Sequence, residues 1–495
     1  MKAEAKCIIA SRYFDMFRHY GGLPIVKNSY SGTDATYEEP RGTVEETVDF
    51  MVGLLDEAAS NLPWTVEEAW DGRFTKAAAE ALKCKILLFA ASPLFNSETP
   101  CAGSEADAAN ANHQAWYGDY KAERWQRCLT ACEKFFQDLG AEGYYKLVQA
   151  EGSHPTSGQY RAAFRAAYSK RGTTEMLMGT RVRYDGNGWT DNAFGGHNYL
   201  FVSEWNAYGG YTPTEEFMEM FDWKDGRPFN LDKVLQEDPD TMFVNPDKNF
   251  DLTRDPRLYE TMIVNGVQTT MNDNGNYSGR RYENWVEGTD GGKGAGTSES
   301  GQFATGFANN KFYFNGETNR VHVWPYVRLA EVYLIYAEAL AQNGQLDKAI
   351  NNVNIVRARV GLKGLKESDA SKNWGDKQTV LDAIMKERAV EFGFEETRFF
   401  DLIRYRRSDI FQKQLHGLRM YRQKDGKDYN FQWQGKKEKE DGYEPNYPTH
   451  YRYEKYEIQN VRRSWWSNWD NKWFLSAFPP TEINKNYGLT QNPGW

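Results

Sequence analysis

The chain has 495 residues, which is too long for one small domain and fits a large helical array or two to three ordinary domains. Its 60 Lys and Arg against 69 Asp and Glu give a net charge of −9, which argues against broad binding to nucleic-acid phosphates. No apolar run approaches the ~18 residues of a membrane span. Aromatic residues make up 15% of the chain, and such residues serve both cores and surfaces that stack on sugars, peptides or bases.

Residues 1–144 are predicted to form the first part of a helical scaffold. Thr43-Val-Glu-Glu46 is a capping box ahead of an apolar run and predicts the start of a helix. Thr75 can cap another helix, which ends before Pro93 because the residue before a proline disfavours helix. The first helix carries apolar residues at helical spacing: Ile8, Ile9, Tyr13, Met16, Phe17 and Tyr20.

Residues 145–325 are rich in Gly, Asn, Asp and Tyr. They are predicted to form a loop-rich ligand-binding region with a few short strands, because long loops on a rigid scaffold commonly carry binding surfaces. Residues 326–410 return to helical spacing, with strong helices from Tyr326, and two of them joined at Asn343-Gly344 resemble a tetratricopeptide unit. Residues 411–495 are predicted to be mostly irregular. The fold class is therefore mainly α.

The five cysteines and seven histidines form no metal-ligand pattern. Cys128 and Cys132 lie four apart on a predicted helix and Cys84 lies in an apolar run, so buried free thiols are favoured over a disulfide or a metal site. Phosphate-binding loops and the Gly-x-Ser-x-Gly motif are missing. The sequence thus predicts no catalytic residue, no metal and no cofactor.

A run of charged residues in the second part of the scaffold has two interpretations. Paired carboxylates can serve acid/base chemistry, as in glycosidases. Here each carboxylate has an arginine within four residues, and a carboxylate paired in this way has a lowered pKa and is a poor general acid. A structural ion-pair network is therefore preferred. The run comprises Glu387, Arg388, Glu391, Glu395, Arg398, Asp401 and Arg404.

The segment from Asp71 to Lys76 also has two interpretations. A glycine before a helix N-terminus can cradle a phosphate. No Gly-rich loop leads into Thr75-Lys76, however, so a turn followed by a helix cap is preferred.

An aromatic series in the loop-rich region is the predicted ligand site. Its spacing is neither helical nor alternating, which disfavours a simple core stripe. Flat rings beside amides and glycines suit stacking on a sugar whose hydroxyls the amides read, although ordinary loop anchoring is the alternative. A second cluster, from Trp465 to Trp473, is interpreted as packing. The predicted ligand-binding residues are Trp189, Asn198, Tyr199, Trp205, Asn206, Tyr208 and Tyr211.

Several motifs, in order along the chain, resemble the SusD/RagB family of outer-membrane nutrient-binding lipoproteins. The most specific is Arg328-Leu-Ala-Glu331 followed by Asn354-x-Val-Arg357. The charged run from 387 to 404 follows in the expected order. Further matching blocks are Tyr20-Gly-Gly-Leu-Pro24, Gly72-Arg-Phe-Thr-Lys76, Ser92-Pro-Leu-Phe-Asn96, Arg254-Asp-Pro-Arg257, Phe478-Pro-Pro-Thr-Glu-Ile483 and Gln491-Asn-Pro-Gly-Trp495.

The resemblance implies one unit over residues 1–495, in which tetratricopeptide-like helix pairs support a loop-rich region. It implies a non-enzymatic protein that captures an oligosaccharide and delivers it to a SusC-like TonB-dependent transporter, with the Arg and Glu blocks as framework. It also implies a cell-surface lipoprotein at the outer membrane. Family members begin with a secretion signal and a lipidated cysteine, which do not precede the first helix here, so we expect an N-terminally truncated chain without its anchor.

Three alternatives stay open at this point. The same scaffold could bind peptides, as in the RagB branch. The carboxylates and aromatics would suit a glycoside hydrolase on a helical scaffold, which needs two unpaired carboxylates ~5–10 Å apart in a cleft. The absent signal would suit a helical-repeat adaptor for proteins.

Overall fold

The computed structural model describes residues 1–33, 38–182, 212–291, 304–312, 322–458 and 465–495. Within these ranges the protein is mainly helical with short strands, as predicted. The helices are α1 (Lys2–Tyr20), α2 (Val44–Ala59), α3 (Lys76–Ala91), α4 (Ala108–Ala111), α5 (Ala122–Glu142), α6 (Ser157–Ser169), α7 (Glu215–Glu219), α8 (Leu231–Glu237), α9 (Pro256–Thr261), α10 (Leu329–Gln342), α11 (Leu346–Ala358), α12 (Leu365–Ser368), α13 (Lys377–Glu391), α14 (Thr397–Arg404), α15 (Ser408–Phe411), α16 (Trp465–Asn468) and α17 (Pro480–Ile483).

The strands pair into small antiparallel sheets. They are β1 (Met176–Val182), β2 (Val244–Asn245), β3 (Asp251–Leu252), β4 (Met262–Ile263), β5 (Gln268–Met271), β6 (Tyr277–Arg281), β7 (Ala308–Asn309), β8 (His322–Arg328), β9 (His416–Lys424), β10 (Lys427–Asp428) and β11 (Tyr451–Glu457). Single 3₁₀ turns lie at Glu68–Trp70, Pro239–Thr241, Pro246–Lys248 and Asn471–Phe474.

The predicted helix starts are confirmed because local hydrogen bonds define them. The Thr43 side chain accepts from the backbone N–H of Glu46, whose carboxylate accepts from the N–H of Thr43 in return. Thr75 caps α3 by accepting from the N–H of Ala78. Each cap satisfies N–H groups that a helix start otherwise leaves unpaired.

The buried face of α1 differs from the predicted apolar set. Of the predicted residues, Phe17 is buried and Tyr13 and Tyr20 pack on the core, whereas Ile8, Ile9 and Met16 are exposed. Helix α1 packs on α2 and α3, and that contact selects the stripe one position away. Helical spacing alone cannot tell which of two partly apolar stripes meets a neighbour. The buried residues of α1 are Cys7, Ala10, Ser11, Phe14 and Phe17.

The scaffold is built from successive helices that pack against each other: α1 on α2, α3 on α5, α10 on α11, and α13 on α14. Helix α3 also contacts α2, and α5 contacts α10, so one hydrophobic core passes through the series. Fully buried alanines in α10, such as Ala337 and Ala341, let its neighbours approach closely. The tetratricopeptide-like arrangement is therefore confirmed.

One helix boundary was predicted wrongly. The helix expected from Tyr326 begins at Leu329, because residues 322–328 belong to β8. Strand β8 pairs with β1 over its length, from Met176 opposite Arg328 to Val182 opposite His322. The resulting ribbon contacts α3, α6 and α10. A pairing between strands so far apart in sequence cannot be inferred from local pattern.

A second core lies beside the scaffold, under the sheet in which β9 is flanked by β10 and β11. Trp285 is fully buried there, with Leu418 and Tyr451 of the sheet packed in the same cluster. The expectation of a mostly irregular C-terminal stretch overlooks this sheet.

Arg41, which is 4% exposed, connects the C-terminal motif Gln491–Trp495 to the turn that follows α1. Its guanidinium donates to the carbonyls of Gly22 at 2.7 Å and Gln114 at 3.0 Å, and to Asn492 Oδ1 at 2.7 Å. Two sequence blocks far apart along the chain are thus joined in one polar contact.

All five cysteines are buried and free, as predicted. Burial, with a small contribution from Glu4, raises the pKa of the Cys7 thiol to about 12. Such thiols are poor nucleophiles. Among the described helices, none has the length and apolar character that crossing a bilayer requires.

Candidate functional site

The predicted aromatic platform cannot be compared with the structure, and it stays a prediction. Its residues Trp189, Asn198, Tyr199, Trp205, Asn206, Tyr208 and Tyr211 all lie outside the described residues.

The described chain on either side of this segment is held by specific contacts. Before it, β1 ends at Val182, which pairs with His322 of β8. After it, the carbonyl of Pro213 accepts from the hydroxyl of Thr305 at 2.6 Å. Glu215, at the start of α7, is fully buried, with Lys455 Nζ 2.6 Å from its carboxylate. The described chain on both sides of the segment that carries the predicted site is therefore anchored to the rest of the protein.

Glu215 also belongs to a group whose side chains could offer ligands to a metal. One ligand atom each of Glu215, Glu216 and His416 lies within 4.8 Å of the others. His416 Nδ1 is 2.6 Å from the carboxylate of Glu216, and Lys455 forms an ion pair with Glu215. These contacts connect α7 to β9 and β11. Burial raises the pKa of the Glu215 carboxyl. This cluster cannot be recognised from the sequence, because His416 lies 200 residues from Glu216.

The charged run predicted from the sequence is buried where the scaffold meets the loop-rich region. Arg328, at the end of β8, lies 2.6 Å from Glu391 and 2.9 Å from both Glu175 and Glu395. Arg257 and Arg359 also contact Glu391. We call this set the junction network. Its members are Glu175, Asp222, Asp255, Arg257, Lys311, Arg328, Arg357, Arg359, Glu387, Glu391 and Glu395.

Cations of the junction network keep the carboxylates of Glu391 and Glu395 ionised. Burial by itself raises the pKa of the Glu391 carboxyl, but Arg359, Arg328 and Arg257 overcome this and hold it well below its ordinary value. Burial opposes Arg328 and Lys311 in the same way at Glu395, whose pKa is also lowered. A carboxylate held in this state is a poor proton donor. The ion-pair interpretation is confirmed for Glu387, Glu391 and Glu395, but their partners are distant in sequence and are not the arginines within four residues.

A second buried cluster ties three helices of the scaffold together. Asp401 of α14 accepts from Arg388 of α13 and from Arg404, each at 2.8 Å. Arg404 also forms a bidentate pair with Glu338 of α10. These arginines are about as buried as the apolar core, so they act as framework.

Glu175 and Arg359 are functional members of the junction network that the sequence analysis did not single out. Both are charged residues in apolar surroundings, Glu175 just before β1 and Arg359 just after α11. Both are 0–1% exposed. A charge inside an apolar run is the signal that could have identified them, because such a charge needs a partner when it is buried.

The other two sequence hypotheses were correct where they can be compared. In the turn before α3, Arg73 pairs with Glu4 and Lys76 with Asp138, each at 2.6 Å, so this segment is a turn and a cap. Trp469 stacks on Phe411 with ring centroids 4.2 Å apart, which is packing. The side chains of Trp465 and Trp466 lie outside the description.

The chain matches two family models. Residues 175–495 match the family described as the SusD family. Residues 1–88 match a family described as starch-binding associating with outer membrane. Among curated relatives, SusD-like protein P38 of Formosa agariphila is 23% identical over 422 residues, which cover 84% of this chain and 68% of the relative.

Solved structures share the fold. A SusD-like protein of Bacteroides fragilis superimposes with a TM-score of 0.68 at 23% identity, covering 100% of this chain and 79% of that chain. A SusD-like carbohydrate binding protein, also of Bacteroides fragilis, gives a TM-score of 0.56 at 20% identity, covering 84% and 69%. The family match from 175 to 495 includes β1, β8, the junction network and the closing motif. The chain therefore belongs to the SusD family.

Proposed function

We propose that this protein binds glycans at the outer membrane and delivers them to a SusC-like TonB-dependent transporter. The observation that carries the proposal is membership of the SusD family over residues 175–495. Residues 1–144 and 326–410 serve as scaffold, and residues 145–325 carry the ligand.

A glycan is favoured over a peptide by two comparisons. The family that matches residues 1–88 is described as starch-binding. One of the structural neighbours is described as carbohydrate binding. The aromatic and amide composition of 189–211 suits the same ligand, since a pyranose has apolar C–H faces for a ring and polar edges for an amide. A peptide ligand of the RagB kind is the second candidate.

Binding without hydrolysis fits the chemistry of the described carboxylates. Those of the junction network are buried and paired with arginine or lysine, so they offer neither a free general acid nor a free nucleophile. We therefore expect a bound oligosaccharide to be recovered intact after long incubation. Release of shorter sugars that stops on Glu391→Gln would contradict this.

The test of the site is titration calorimetry against starch oligosaccharides, laminarin oligosaccharides and mixed peptides. Trp205→Ala and Tyr208→Ala should each weaken glycan binding about tenfold, which is ~1.4 kcal/mol, because each removes a stacking ring. Trp70→Ala is the matched control, since Trp70 is 55% exposed and lies outside the segment. Unchanged affinity in both variants would place the platform elsewhere, and binding of peptides alone would favour the second candidate.

The transporter step has its own test. The protein should co-purify in detergent with a SusC-like transporter of the same organism when the two are expressed together. Failure of that complex, with glycan binding intact, would remove delivery from the proposal and leave capture.

A further inference from the structure

A cavity between α6, α9 and β5 is lined by two arginines, Arg161 and Arg165. Gln268, Thr270 and Asn310 supply amide and hydroxyl groups to its wall, and Val264 is among the apolar residues there. None of the described residues that line the cavity is acidic.

The two arginines share one carboxylate behind the cavity wall. Arg161 donates to Glu260 at 2.8 Å, and Arg165 donates to both carboxylate oxygens of Glu260 at 2.7 and 3.1 Å. Burial raises the pKa of the Glu260 carboxyl, but the two arginines lower it overall, so Glu260 is ionised at neutral pH. The three groups together carry one net positive charge.

One hydrogen-bond donor of the Arg161 guanidinium has no acceptor among the described residues. Arg161 is 3% exposed, and its Nη2 donates to the carbonyl of Tyr259 at 3.0 Å. Its Nη1 is buried without a hydrogen-bond partner among the described residues. A buried donor without an acceptor is costly, and the cost is larger when the group is charged. An anion entering the cavity would supply the acceptor that Arg161 Nη1 lacks.

We propose that this cavity binds one oxyanion group, a carboxylate or a sulfate, carried by an acidic glycan. The planar guanidinium matches such groups bidentately, which a neutral sugar hydroxyl cannot do. The amide and hydroxyl groups of the wall suit the sugar that bears the anion. The glycan part of this statement rests on the proposed function, whereas the oxyanion part rests on the cavity alone.

The test is calorimetric titration of the full chain with sodium glucuronate, sodium sulfate and glucose at one fixed ionic strength. Glucuronate or sulfate should bind, and glucose should bind at least tenfold more weakly at this site. Arg161→Gln should reduce anion affinity at least tenfold. We expect this variant to fold, because Arg165 and Glu260 still form an ion pair. Arg281→Gln is the matched control and should stay within twofold. Arg281 lies on β6 outside the lining, where it donates to the carbonyl of Gly266 and packs over Phe250.

The outcomes separate the possibilities. Binding of glucuronate alone assigns a carboxylate, and binding of sulfate alone assigns a sulfated sugar. Equal losses in Arg161→Gln and Arg281→Gln, or no binding of either anion, would overturn the site. If Arg161→Gln fails to fold, Arg161→Lys keeps the charge without Nη1 and should still lose the preference for anion over glucose. If the protein binds neutral glycans but no anion, the cavity proposal is wrong and the proposed function stands. If it binds anions but no glycan, the proposed function is wrong and the oxyanion site stands.

Discussion

Arg388 is 2% exposed, and its Nε donates to Asp401 at 2.8 Å. We expect Arg388→Ala to lower the free energy of unfolding by about 3 kcal/mol, because the variant leaves a buried carboxylate with one partner fewer. The loss stays at the lower end of the usual range since Arg404 still contacts Asp401. Urea denaturation followed by circular dichroism measures it.

Arg407→Ala is the control for that prediction. Arg407 pairs with Asp409 at 2.7 Å on the surface, where the two side chains are 35% and 58% exposed. Exposed pairs contribute less than about 1 kcal/mol, so this variant should be nearly as stable as the wild type. Equal losses in the two variants would show that burial does not set the cost.

Glu80 should make the protein less stable as the pH rises. Burial, together with a hydrogen bond to Asp138, raises the pKa of its carboxyl to about 7, although the charges of Lys134 and Lys76 act to lower it. Between about 4.5 and 7 the unfolded chain therefore loses this proton before the folded chain does, and stability falls as pH rises through that window.

Glu80→Gln should remove this dependence. At pH 8 the variant should gain about 1–3 kcal/mol in the free energy of unfolding, and at pH 4 it should match the wild type. Denaturation series across that range give the slope, with Glu57→Gln on the exposed face of α2 as the control. A slope that persists in Glu80→Gln would contradict the assignment to this residue.

At the scale of elements, α2 depends on its cap. Thr43→Ala removes the side-chain oxygen that accepts from Glu46 N–H, and should cost about 1 kcal/mol of stability. Exposed Thr99, outside the helices, provides the control Thr99→Ala. Equilibrium denaturation compares the two variants. A cost for Thr43→Ala no larger than that of the control would mean that tertiary contacts, not the cap, hold this helix end.

The β1–β8 ribbon is the element that connects the scaffold helices to the segment with the predicted aromatic platform. Glu175 stands just before one strand and Arg328 ends the other, and the two pair at 2.9 Å in the junction network. The far end of the ribbon leads into the segment that carries the predicted aromatics. Rigidity at the near end therefore fixes where that segment starts.

At the scale of the whole molecule, the junction network together with the buried cluster around Asp401 should make the fold acid-sensitive. The pKa values of Glu391, Glu395 and Asp401 are lowered in the folded state by their arginine and lysine partners, against burial. Their contribution is therefore complete above the ordinary carboxyl pKa of about 4, and is lost progressively as pH falls below it.

We expect the urea midpoint to fall steadily between about pH 5 and pH 3. Glu391→Gln should be less stable at neutral pH. Its urea midpoint should fall less steeply with acid, because the variant lacks the Glu391 carboxylate, whose pKa is strongly lowered. A fall of the same steepness in the variant would exclude Glu391 as a source of the acid sensitivity.

The sequence by itself determined the features that local chemistry or the order of motifs sets. The caps at Thr43 and Thr75, the helical spacing of the scaffold and the ordered family motifs are readable along the chain, because they depend on neighbouring residues. The fold class and the family followed from them. The aromatic platform from Trp189 to Tyr211 remains a prediction from composition.

Only the tertiary structure decided which groups meet across long separations. It selected the Phe14 stripe of α1 over the Ile8 stripe, and made residues 322–328 a strand by pairing them with β1. It also brought Arg161 and Arg165 onto Glu260, 99 and 95 residues away. A buried charge requires a partner, but the local sequence does not show which residue that partner is. The packing of distant elements decides it, and no local pattern specifies that packing.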